Sequence, residues 1–355
     1  MLPDWSPSRP HVHSIAFELT GFCNQTCDYC YNAFRADGGA SVGSVDAERF
    51  LTRLDRILAA VDLEHVTLTG GEPLASHDLF PILDGLRMRA VRAQIISNAS
   101  LVTDAIAKRL ARYRLLAVLV TLNGPDAESH DASVCTPGQF EKTVRGIEKL
   151  LAHRIPVQAS VVITRENAHR VGETVAKLVA LGVRSIALSR FSPAGYSTPN
   201  TERLMPSVDD VIAAFEAARP FSSSHGVHFF ATMPLPRCVF PRERFAFVSM
   251  NDCPIGTERQ EFAIGPRGEI RHCALHVDPV ARDVLDGGVD LAQVFASGDP
   301  HAYRSALPEP CRACEHRAQC AGGCGAAATW VHGARTELDP FVGTKRRLPV
   351  LASPS

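Results

Sequence analysis

The sequence of 355 residues has no long hydrophobic segment. Its longest apolar runs cover about eight residues, whereas a helix that spans a membrane needs roughly twenty. Residues 1–10 are polar and rich in proline, without the apolar core of a signal peptide. The formal net charge is only −1, so no strong electrostatic field favours binding to nucleic acid or to an anionic membrane. We therefore expect a cytoplasmic protein that binds neither.

Cysteine, by contrast, is abundant, with eleven residues in the chain. Disulfides are rare in the cytosol, so this number of thiols indicates metal binding or catalysis. Ten of the cysteines form two groups, at 23–30 and at 238–324, and Cys135 stands alone between them. We expect Cys135 to have no role in a site.

The first group has the pattern C-x3-C-x2-C. Its members, Cys23, Cys27 and Cys30, follow a run at 15–20 that is typical of a buried strand. A structural zinc site needs four ligands in one closed set, whereas three thiolates on one short loop suit a [4Fe–4S] cluster that keeps one iron free. A zinc knuckle or three unrelated core cysteines are the alternatives.

This triplet, with an aromatic residue directly before its third cysteine, resembles the radical SAM superfamily. The resemblance implies that the free iron binds the amino and carboxyl groups of S-adenosylmethionine. The reduced cluster would then cleave the sulfonium and give a 5′-deoxyadenosyl radical that takes a hydrogen atom from the substrate. It also implies an electron donor such as flavodoxin or ferredoxin.

A second motif follows one strand–helix unit later, where an apolar run at 65–69 leads into Gly70-Gly71-Glu72-Pro73. It resembles the GGEP motif of the same superfamily, which contacts the methionine amino group. The resemblance also implies that polar residues after later strands bind the methionine carboxylate and the ribose. These candidates are Ser97, Asn98, Thr121, Asn123, Arg165 and Asn167. Asn98 and Arg165 are favoured because a carboxylate needs a fixed donor; for each residue the alternative is a cap or a turn.

Short, β-branched apolar runs alternate with amphipathic segments six times up to about residue 190. This alternation indicates a parallel sheet covered by helices, and it resembles the open, partial (β/α)6 TIM-type barrel of radical SAM enzymes, where ligands meet the C-terminal ends of the strands.

We divide the chain into an N-terminal extension (1–12), the partial barrel (13–230), and a small irregular Cys-rich iron–sulfur domain with a β-hairpin and a tail (231–355). Locally, we expect a helix to begin near Ser44, one helix at 137–152 and another at 208–218.

The second group of cysteines has the pattern C-x14-G-x4-C followed by C-x2-C-x5-C-x3-C. The second half alone could close a zinc ribbon, but the order and spacing resemble the SPASM extension of radical SAM enzymes. The resemblance implies one or two auxiliary [4Fe–4S] clusters. One would be held by Cys253, Cys273 and Cys324, with Cys238 as the fourth sulfur, and the other by Cys311, Cys314 and Cys320.

The last ligand of that other cluster is absent from its usual place. The family takes it from a cysteine beyond the run, and no cysteine follows Cys324. Asp339, Glu337 and His332 are candidates for the position, as are water and substrate. A hard oxygen or an imidazole in place of sulfur would shift the reduction potential.

These motifs are specific for fold and cofactors but not for the substrate. We expect a radical SAM oxidoreductase that crosslinks or otherwise oxidises a ribosomally synthesised peptide, as in RiPP biosynthesis. Only about fourteen residues precede the first strand, so a separate leader-binding protein or the core enzyme should recognise the leader. A radical dehydrogenase or epimerase acting on a small metabolite is the alternative.

Two further classes conflict with particular residues. Sulfatase-activating enzymes carry an aspartate base directly after the cysteine of the G-x4-C motif, where this chain has Ala274. A non-catalytic iron–sulfur scaffold would have lost the nucleotide-binding residues, whereas Glu72, Asn98 and the cysteine triplet are present.

Overall fold

The computed structural model describes residues 9–276, 278–297 and 300–344, and one sheet dominates it. The described strands are β1 (His11–Glu18), β2 (Asp62–Thr69), β3 (Arg92–Ser97), β4 (Val118–Thr121), β5 (Val157–Ile163), β6 (Ser185–Arg190), β7 (His228–Ala231), β8 (Val248–Met250), β9 (Glu261–Ile264) and β10 (Ile270–Arg271). Strands β1 to β8 follow one another in parallel across the sheet. This linear order leaves the sheet open and confirms the predicted partial barrel.

The helices cover the sheet and connect its strands. Those described are α1 (Ala47–Ala60), α2 (Leu79–Met88), α3 (Asp104–Leu110), α4 (Ala127–Val134), α5 (Gln139–Ala152), α6 (Val171–Ala180), α7 (Thr201–Leu204), α8 (Val208–His225), α9 (Leu291–Ser297), α10 (Pro300–Ser305), α11 (Glu309–Arg312), α12 (Arg317–Cys320) and α13 (Gly325–His332). None of these described helices has the length and apolar character needed to cross a bilayer.

The core lies between the strands and the apolar faces of the helices. Strand β6 buries the consecutive residues Ile186, Ala187 and Leu188 completely, and α6 buries Val175 and Leu178 in the core. Apolar side chains on both faces of a strand are typical of a parallel sheet covered by helices. The strands therefore end in polar loops at one edge, where the site is built.

The expected helix at 137–152 agrees with α5, Gln139–Ala152, whereas the structure differs from the other local expectations and adds one helix. Helix α1 is capped by Asp46, whose carboxylate accepts from the Arg49 N–H at 2.7 Å, whereas Ser44 donates to Thr20 Oγ1. A second helix, α4, precedes α5 and ends where Cys135 adopts a φ of +49°. Helix α8 continues past residue 218, through Pro220, to His225.

The C-terminal hairpin joins the main sheet beside β1. Strand β9 runs parallel to β1, with Ser14 opposite Glu261 and Phe17 opposite Ile264, and β10 pairs antiparallel with β9. Strand β1 consequently lies between β2 and β9, which places the Cys-rich segment next to the strand that leads into the first cysteine loop. The predicted extension at 1–12 lies mostly outside the described residues, and β1 begins at His11.

Candidate active site

Cys23, Cys27 and Cys30 lie together on the loop that follows β1. Burial raises the pKa of all three thiols, to about 11 for Cys30; repulsion by neighbouring thiols adds to this at Cys27 and Cys30, and the Glu72 charge adds to it at Cys23. The Arg35 guanidinium lowers the pKa of each thiol but does not offset burial. Thiols held together in this way need positive charge nearby in order to ionise. A bound metal centre would supply that charge and displace the thiol protons. The residues present therefore fit an iron–sulfur cluster.

Gly70 and Gly71 pack directly on this cysteine loop. Gly70 has a φ of +132°, and a Cβ there would lie 2.7 Å from the Thr20 carbonyl oxygen. A Cβ on Gly71 would overlap the Phe22 carbonyl group. The Gly71 N–H donates to Thr20 at 2.6 Å, and the Glu72 N–H donates to Phe22 at 2.8 Å. Because only glycine permits this approach, the two glycines join the two sequence motifs.

Asn32 completes the junction and was missed in the sequence analysis. Its buried Nδ2 donates to the Gly70 carbonyl at 2.6 Å. An asparagine just after the third cysteine forms no periodic pattern, so the only available signal was its nearness to that cysteine. The bond fixes the Gly70 carbonyl against the cysteine loop.

Glu72 ties the end of β2 to the end of β3. Its carboxylate accepts from the Leu74 N–H at 3.0 Å, the Ser97 hydroxyl at 2.7 Å and the Asn98 N–H at 2.8 Å. The side chain is buried, and burial raises its pKa. Pro73 is buried at the start of the following turn. Three predicted site residues thus meet in one network.

Asn98 extends this network to the cysteine loop. Its Nδ2 donates to Asn24 Oδ1 at 2.8 Å and approaches Cys23 Sγ at 3.9 Å. Among the predicted cofactor residues after β2, Asn98 therefore has a described contact with a cysteine of the triplet. This contact places a fixed amide donor beside the loop, as a carboxylate ligand would require.

The remaining predicted residues lie along β4 and after β5. Thr121 is the half-buried last residue of β4. The Asn167 amide bonds with Thr164, Asn123 and Val162, which fills its hydrogen-bonding positions. Arg165 is exposed, and its Nε donates to the Met205 carbonyl at 3.2 Å. These described contacts hold turns together, and the cofactor roles of these residues stay predictions.

The seven cysteines of the second group form two sets. Cys238, Cys311, Cys314 and Cys320 line one small cavity. Burial raises the pKa of Cys311, and the charges of the other three cysteines raise it further. The second set contains Cys253, Cys273 and Cys324; burial raises the pKa of Cys253 to about 11 and of Cys273 to about 12, and repulsion by Cys324 acts on both. The donor sets fit thiolate-bound metal centres.

The predicted assignment of Cys238 to the set of Cys253 was therefore wrong. Cys238 lies instead with Cys311, Cys314 and Cys320, because the proline-rich bridge after β7 turns back onto the C-terminal run. That set has four sulfurs, the number of thiolates that commonly hold a [4Fe–4S] cluster. The set with three sulfurs is Cys253, Cys273 and Cys324. From the sequence we expected the opposite, four sulfurs in this set and three in the other.

The three residues proposed for the missing ligand do not line the cavity of Cys238. Glu337 and His332 are exposed, whereas Asp339 is completely buried. One Asp339 oxygen accepts from Arg190 Nη2 at 2.5 Å and from the Cys324 N–H at 2.7 Å. Asp339 therefore anchors the C-terminal segment to β6 and to the loop of Cys324.

A second buried ion pair lies between the first cysteine loop and the second group. Glu18, the last residue of β1, accepts from Arg271 of β10. Burial raises the pKa of Glu18 to about 7, although the Arg271 charge opposes this. Arg271 also donates to the Ala274 carbonyl at 3.2 Å, next to Cys273. This pair could not be predicted from the sequence, because its partners are 253 residues apart in the chain.

Comparisons with known proteins agree with this arrangement. Residues 17–178 match the model of the Radical SAM superfamily. The mycofactocin maturase of Mycobacterium tuberculosis is 27% identical over 319 residues, which cover 88% of this chain and 78% of the relative. The PqqA peptide cyclase of Methylocella silvestris is 27% identical over 330 residues, 91% of this chain and 85% of the relative. The AdoMet-dependent heme synthase of Methanosarcina barkeri is 30% identical over 193 residues, 53% of each chain.

Solved structures share the fold. Streptococcus suis SuiB bound to the precursor peptide SuiA superposes with a TM-score of 0.74 at 15% identity, over 93% of this chain and 75% of SuiB. SuiB bound to S-adenosylmethionine gives a TM-score of 0.71 at 14% identity, over 92% and 76% of the chains. Residues 17–178, the part that the family model matches, therefore form a radical SAM domain, in agreement with the open parallel barrel and with the cysteine triplet joined to the glycine pair.

Proposed function

We propose that this protein is a radical SAM oxidoreductase that modifies a ribosomally synthesised precursor peptide. The observation that carries the proposal is the junction of Cys23, Cys27 and Cys30 with the Gly70–Gly71 pair at the ends of parallel strands. Two relatives named a maturase and a peptide cyclase, each matching most of this chain, support a peptide substrate. A short peptide suits the open edge of the sheet.

The three cysteines of the first loop would hold a [4Fe–4S] cluster. When bound, this cluster and S-adenosylmethionine supply the 5′-deoxyadenosyl radical. The chain's own residues shape the site: the glycine pair lets backbone groups approach the nucleotide, and Asn98 presents an amide beside Cys23. Ser97, Thr121, Arg165 and Asn167 complete the proposed cofactor set, with Glu72 holding the loops in place.

Two auxiliary clusters belong to the same proposal. Four thiolates, from Cys238, Cys311, Cys314 and Cys320, would hold one [4Fe–4S] cluster, and Cys253, Cys273 and Cys324 would hold the other. The cavity that Cys238 shares with Cys311, Cys314 and Cys320, and the repulsion that Cys324 exerts on Cys253 and Cys273, support this partition. Such clusters supply electron transfer, which oxidation of a peptide requires after loss of a hydrogen atom.

The remaining parts of the proposal concern partners and place in the cell. Flavodoxin or ferredoxin would deliver the electron, and a separate protein would present the leader. We assign the partial barrel to 13–230 and the auxiliary-cluster domain to 231–355. A cytoplasmic location fits the described cysteines, among which no disulfide is present.

Anaerobic reconstitution tests the proposal. The full chain, loaded with iron and sulfide and given S-adenosylmethionine and a reductant, should form 5′-deoxyadenosine even without substrate. Cys27→Ala should reduce this to background, whereas Cys135→Ala, which changes an exposed cysteine outside the three sets, should leave it unchanged. Zinc in place of iron, or full cleavage by Cys27→Ala, would refute the assignment.

A small metabolite is the second candidate substrate. The match to an AdoMet-dependent heme synthase favours it, but that match covers only 53% of each chain. Addition of a precursor peptide should increase 5′-deoxyadenosine formation severalfold and give a product whose mass has fallen by two hydrogens. Stimulation by a small metabolite and not by peptides would favour the second candidate.

A further inference from the structure

Three donor side chains meet at the N-terminal ends of β1 and β2, those of His13, Glu64 and His65. Each offers one ligand atom, an imidazole nitrogen or a carboxylate oxygen, and the three atoms lie within 4.8 Å of one another. Parallel pairing of the strands, with Ser14 opposite His65, brings these residues together. The first cysteine loop follows the other end of β1, so this group is separate from the proposed radical site.

The spacing of these atoms is close to that of ligands around a single ion. A tetrahedral ion with bonds of about 2.0–2.2 Å holds its ligand atoms roughly 3.3–3.6 Å apart. His13 Nδ1 lies 2.8 Å from Glu64 Oε2, and the rings of His13 and His65 meet edge to face with their centroids 5.1 Å apart. Small rotations of the side chains therefore place three donors around one ion.

The third donor distinguishes this group from an ordinary ion pair. His153 and Asp104 form a comparable pair, with Nε2 and Oδ1 3.0 Å apart, but no third donor joins them among the described residues. His65 Nδ1, in addition, is buried and has no hydrogen-bond partner. Buried nitrogen atoms normally bind protein, water or a ligand, and neutral imidazole is the commonest metal ligand.

The group is open to solvent on one side. The side chains of His13 and Glu64 are 39% and 38% exposed. His13 also lines a cavity of about 340 Å³, which lies between the start of β1, residues 256–262 and the end of α9. An ion can consequently reach the donors from solvent, and a position that no protein atom fills can take water.

Arg92 on β3 is the positive charge that opposes a cation here. Its Nη2 lies 3.4 Å from Glu64 Oε1, whereas the other carboxylate oxygen, Oε2, faces His13. The Arg92 side chain is 54% exposed, so water and salt screen its charge. Arg92 therefore leaves the position between Glu64 and His13 free for a ligand.

The cysteine sets have a different spacing. In the described part of the chain, none of the three sets brings three sulfur atoms within 4.8 Å of one another. One zinc ion with Zn–S bonds of about 2.3 Å would hold its sulfur ligands roughly 3.8 Å apart. Wider spacing suits a cluster of several irons. Sites for clusters and a site for a single ion thus lie at different ends of β1.

We propose that His13, Glu64 and His65 bind one divalent transition-metal ion of the zinc type, with water in the remaining position. Two imidazoles and a carboxylate form a donor set that such ions prefer. Each imidazole binds through a nitrogen lone pair, so both rings are neutral in the bound form. The ion joins β1 to β2 at the end remote from the cysteine triplet and stabilises the sheet without taking part in the radical reaction.

Zinc binding to the anaerobically reconstituted full chain tests this proposal, because its clusters occupy the thiols. Calorimetry should give one zinc ion per chain, and X-ray absorption at the zinc edge should show nitrogen and oxygen neighbours without sulfur. His13→Ala, His65→Ala and Glu64→Gln should each weaken binding at least tenfold. His153→Ala, which removes half of a pair that lacks a third donor, is the matched control and should bind as wild type.

Stability gives a second measurement. Zinc should raise the thermal unfolding midpoint of the wild type but not that of His13→Ala with His65→Ala. Equal iron contents of all variants would show that each one folds and loads its clusters. The proposal is overturned by sulfur in the zinc shell, by binding that persists in His13→Ala and Glu64→Gln, or by equal weakening in His153→Ala. Formation of 5′-deoxyadenosine does not enter this test, so failure of the proposed function leaves it intact.

Discussion

Glu18 shows how one buried carboxyl group responds to its position at the end of β1. The side chain has no access to water, and its Oε1 has no hydrogen-bond partner, although Arg271 bonds the other oxygen. Loss of hydration disfavours the charged form more than Arg271 favours it, so the pKa rises to about 7. Glu18 therefore titrates close to neutral pH.

Glu18→Gln should remove a pH dependence of stability. The folded pKa, about 7, lies above the ordinary value of 4.5, so the folded chain binds the proton more tightly than the unfolded chain between these pH values. The wild-type free energy of unfolding consequently receives a contribution that falls as pH rises from about 4.5 to about 7 and stays constant above that. Guanidinium unfolding at several pH values measures the slope. Equal slopes for wild type and variant would contradict this, and exposed Glu258→Gln is the control.

Asn32→Ala should weaken the junction at the first cysteine loop. The change leaves the Gly70 carbonyl without its buried donor, which costs roughly 1–3 kcal/mol. We expect lower stability in denaturant unfolding and slower formation of 5′-deoxyadenosine, because the glycine pair is no longer fixed. Asn200→Ala removes a similar side-chain bond, to Asp28, at a partly buried position and should cost less. Equal effects of the two variants would argue against a special role of Asn32.

At the scale of elements, the strand ends are held together by loops that have no room for larger side chains. The turn after β2 lies against the loop after β1 through backbone hydrogen bonds at 2.6 and 2.8 Å. Such close contact fixes the distance between the cysteine triplet and the residues at the end of β3. A side chain inserted between the loops should separate them.

Gly71→Ala tests this contact. The added methyl group would overlap the Phe22 carbonyl, so the two loops must move apart. We expect reduced incorporation of the first cluster and at least a tenfold loss of S-adenosylmethionine cleavage, with the barrel still folded. Gly287→Ala, at a position with open space around it, should behave as wild type. Normal cleavage by Gly71→Ala would show that the loops tolerate separation.

The pair of Arg190 and Asp339 joins β6 to the C-terminal segment. Both side chains are completely buried, and breaking such a pair strands one charge, at a cost of roughly 3–5 kcal/mol. Asp339→Ala should lower the unfolding midpoint and perturb the centre of Cys324, whose N–H loses its acceptor. The double variant Arg190→Met with Asp339→Leu should lose less than the sum of the single variants. Strict additivity would show that the two residues do not act as a pair.

At the scale of the whole molecule, the chain gathers its cysteines into three sets from segments that are far apart. The bridge after β7 contributes Cys238 to the set of the C-terminal run, and the loop after β10 contributes Cys273 to the set with Cys253. The sheet brings these segments together because β9 pairs with β1. Cluster content therefore depends on the complete fold.

Combined cysteine variants test this partition. Cys238→Ala and Cys314→Ala should each remove one cluster, about four irons of roughly twelve, and the double variant should remove no more. Cys238→Ala combined with Cys253→Ala should remove two clusters. Iron analysis and electron paramagnetic resonance of the reduced protein give the count. Loss of two clusters in Cys238→Ala with Cys314→Ala would restore the grouping expected from the sequence.

Much of the fold and the first site could be predicted from the sequence because their signals are local. The C-x3-C-x2-C triplet, the Gly70–Pro73 motif and the alternation of strands and helices each depend on neighbours in the chain. The bounds of α5, Gln139–Ala152, agree with the helix expected at 137–152 for the same reason. Local patterns failed at the start of α1, where Asp46 caps the helix, at the end of α8, and at α4, which was not expected.

Contacts between distant segments were decided only by the tertiary structure. No spacing rule places Cys238 beside Cys311, Glu18 against Arg271, or Tyr303 beside Cys253 and Cys273. Each of these contacts depends on how the bridge, the hairpin and the C-terminal helices pack against β1 and β6. The sequence by itself thus determined the chemistry of the first loop, and packing of the whole chain decided which cysteines share a centre.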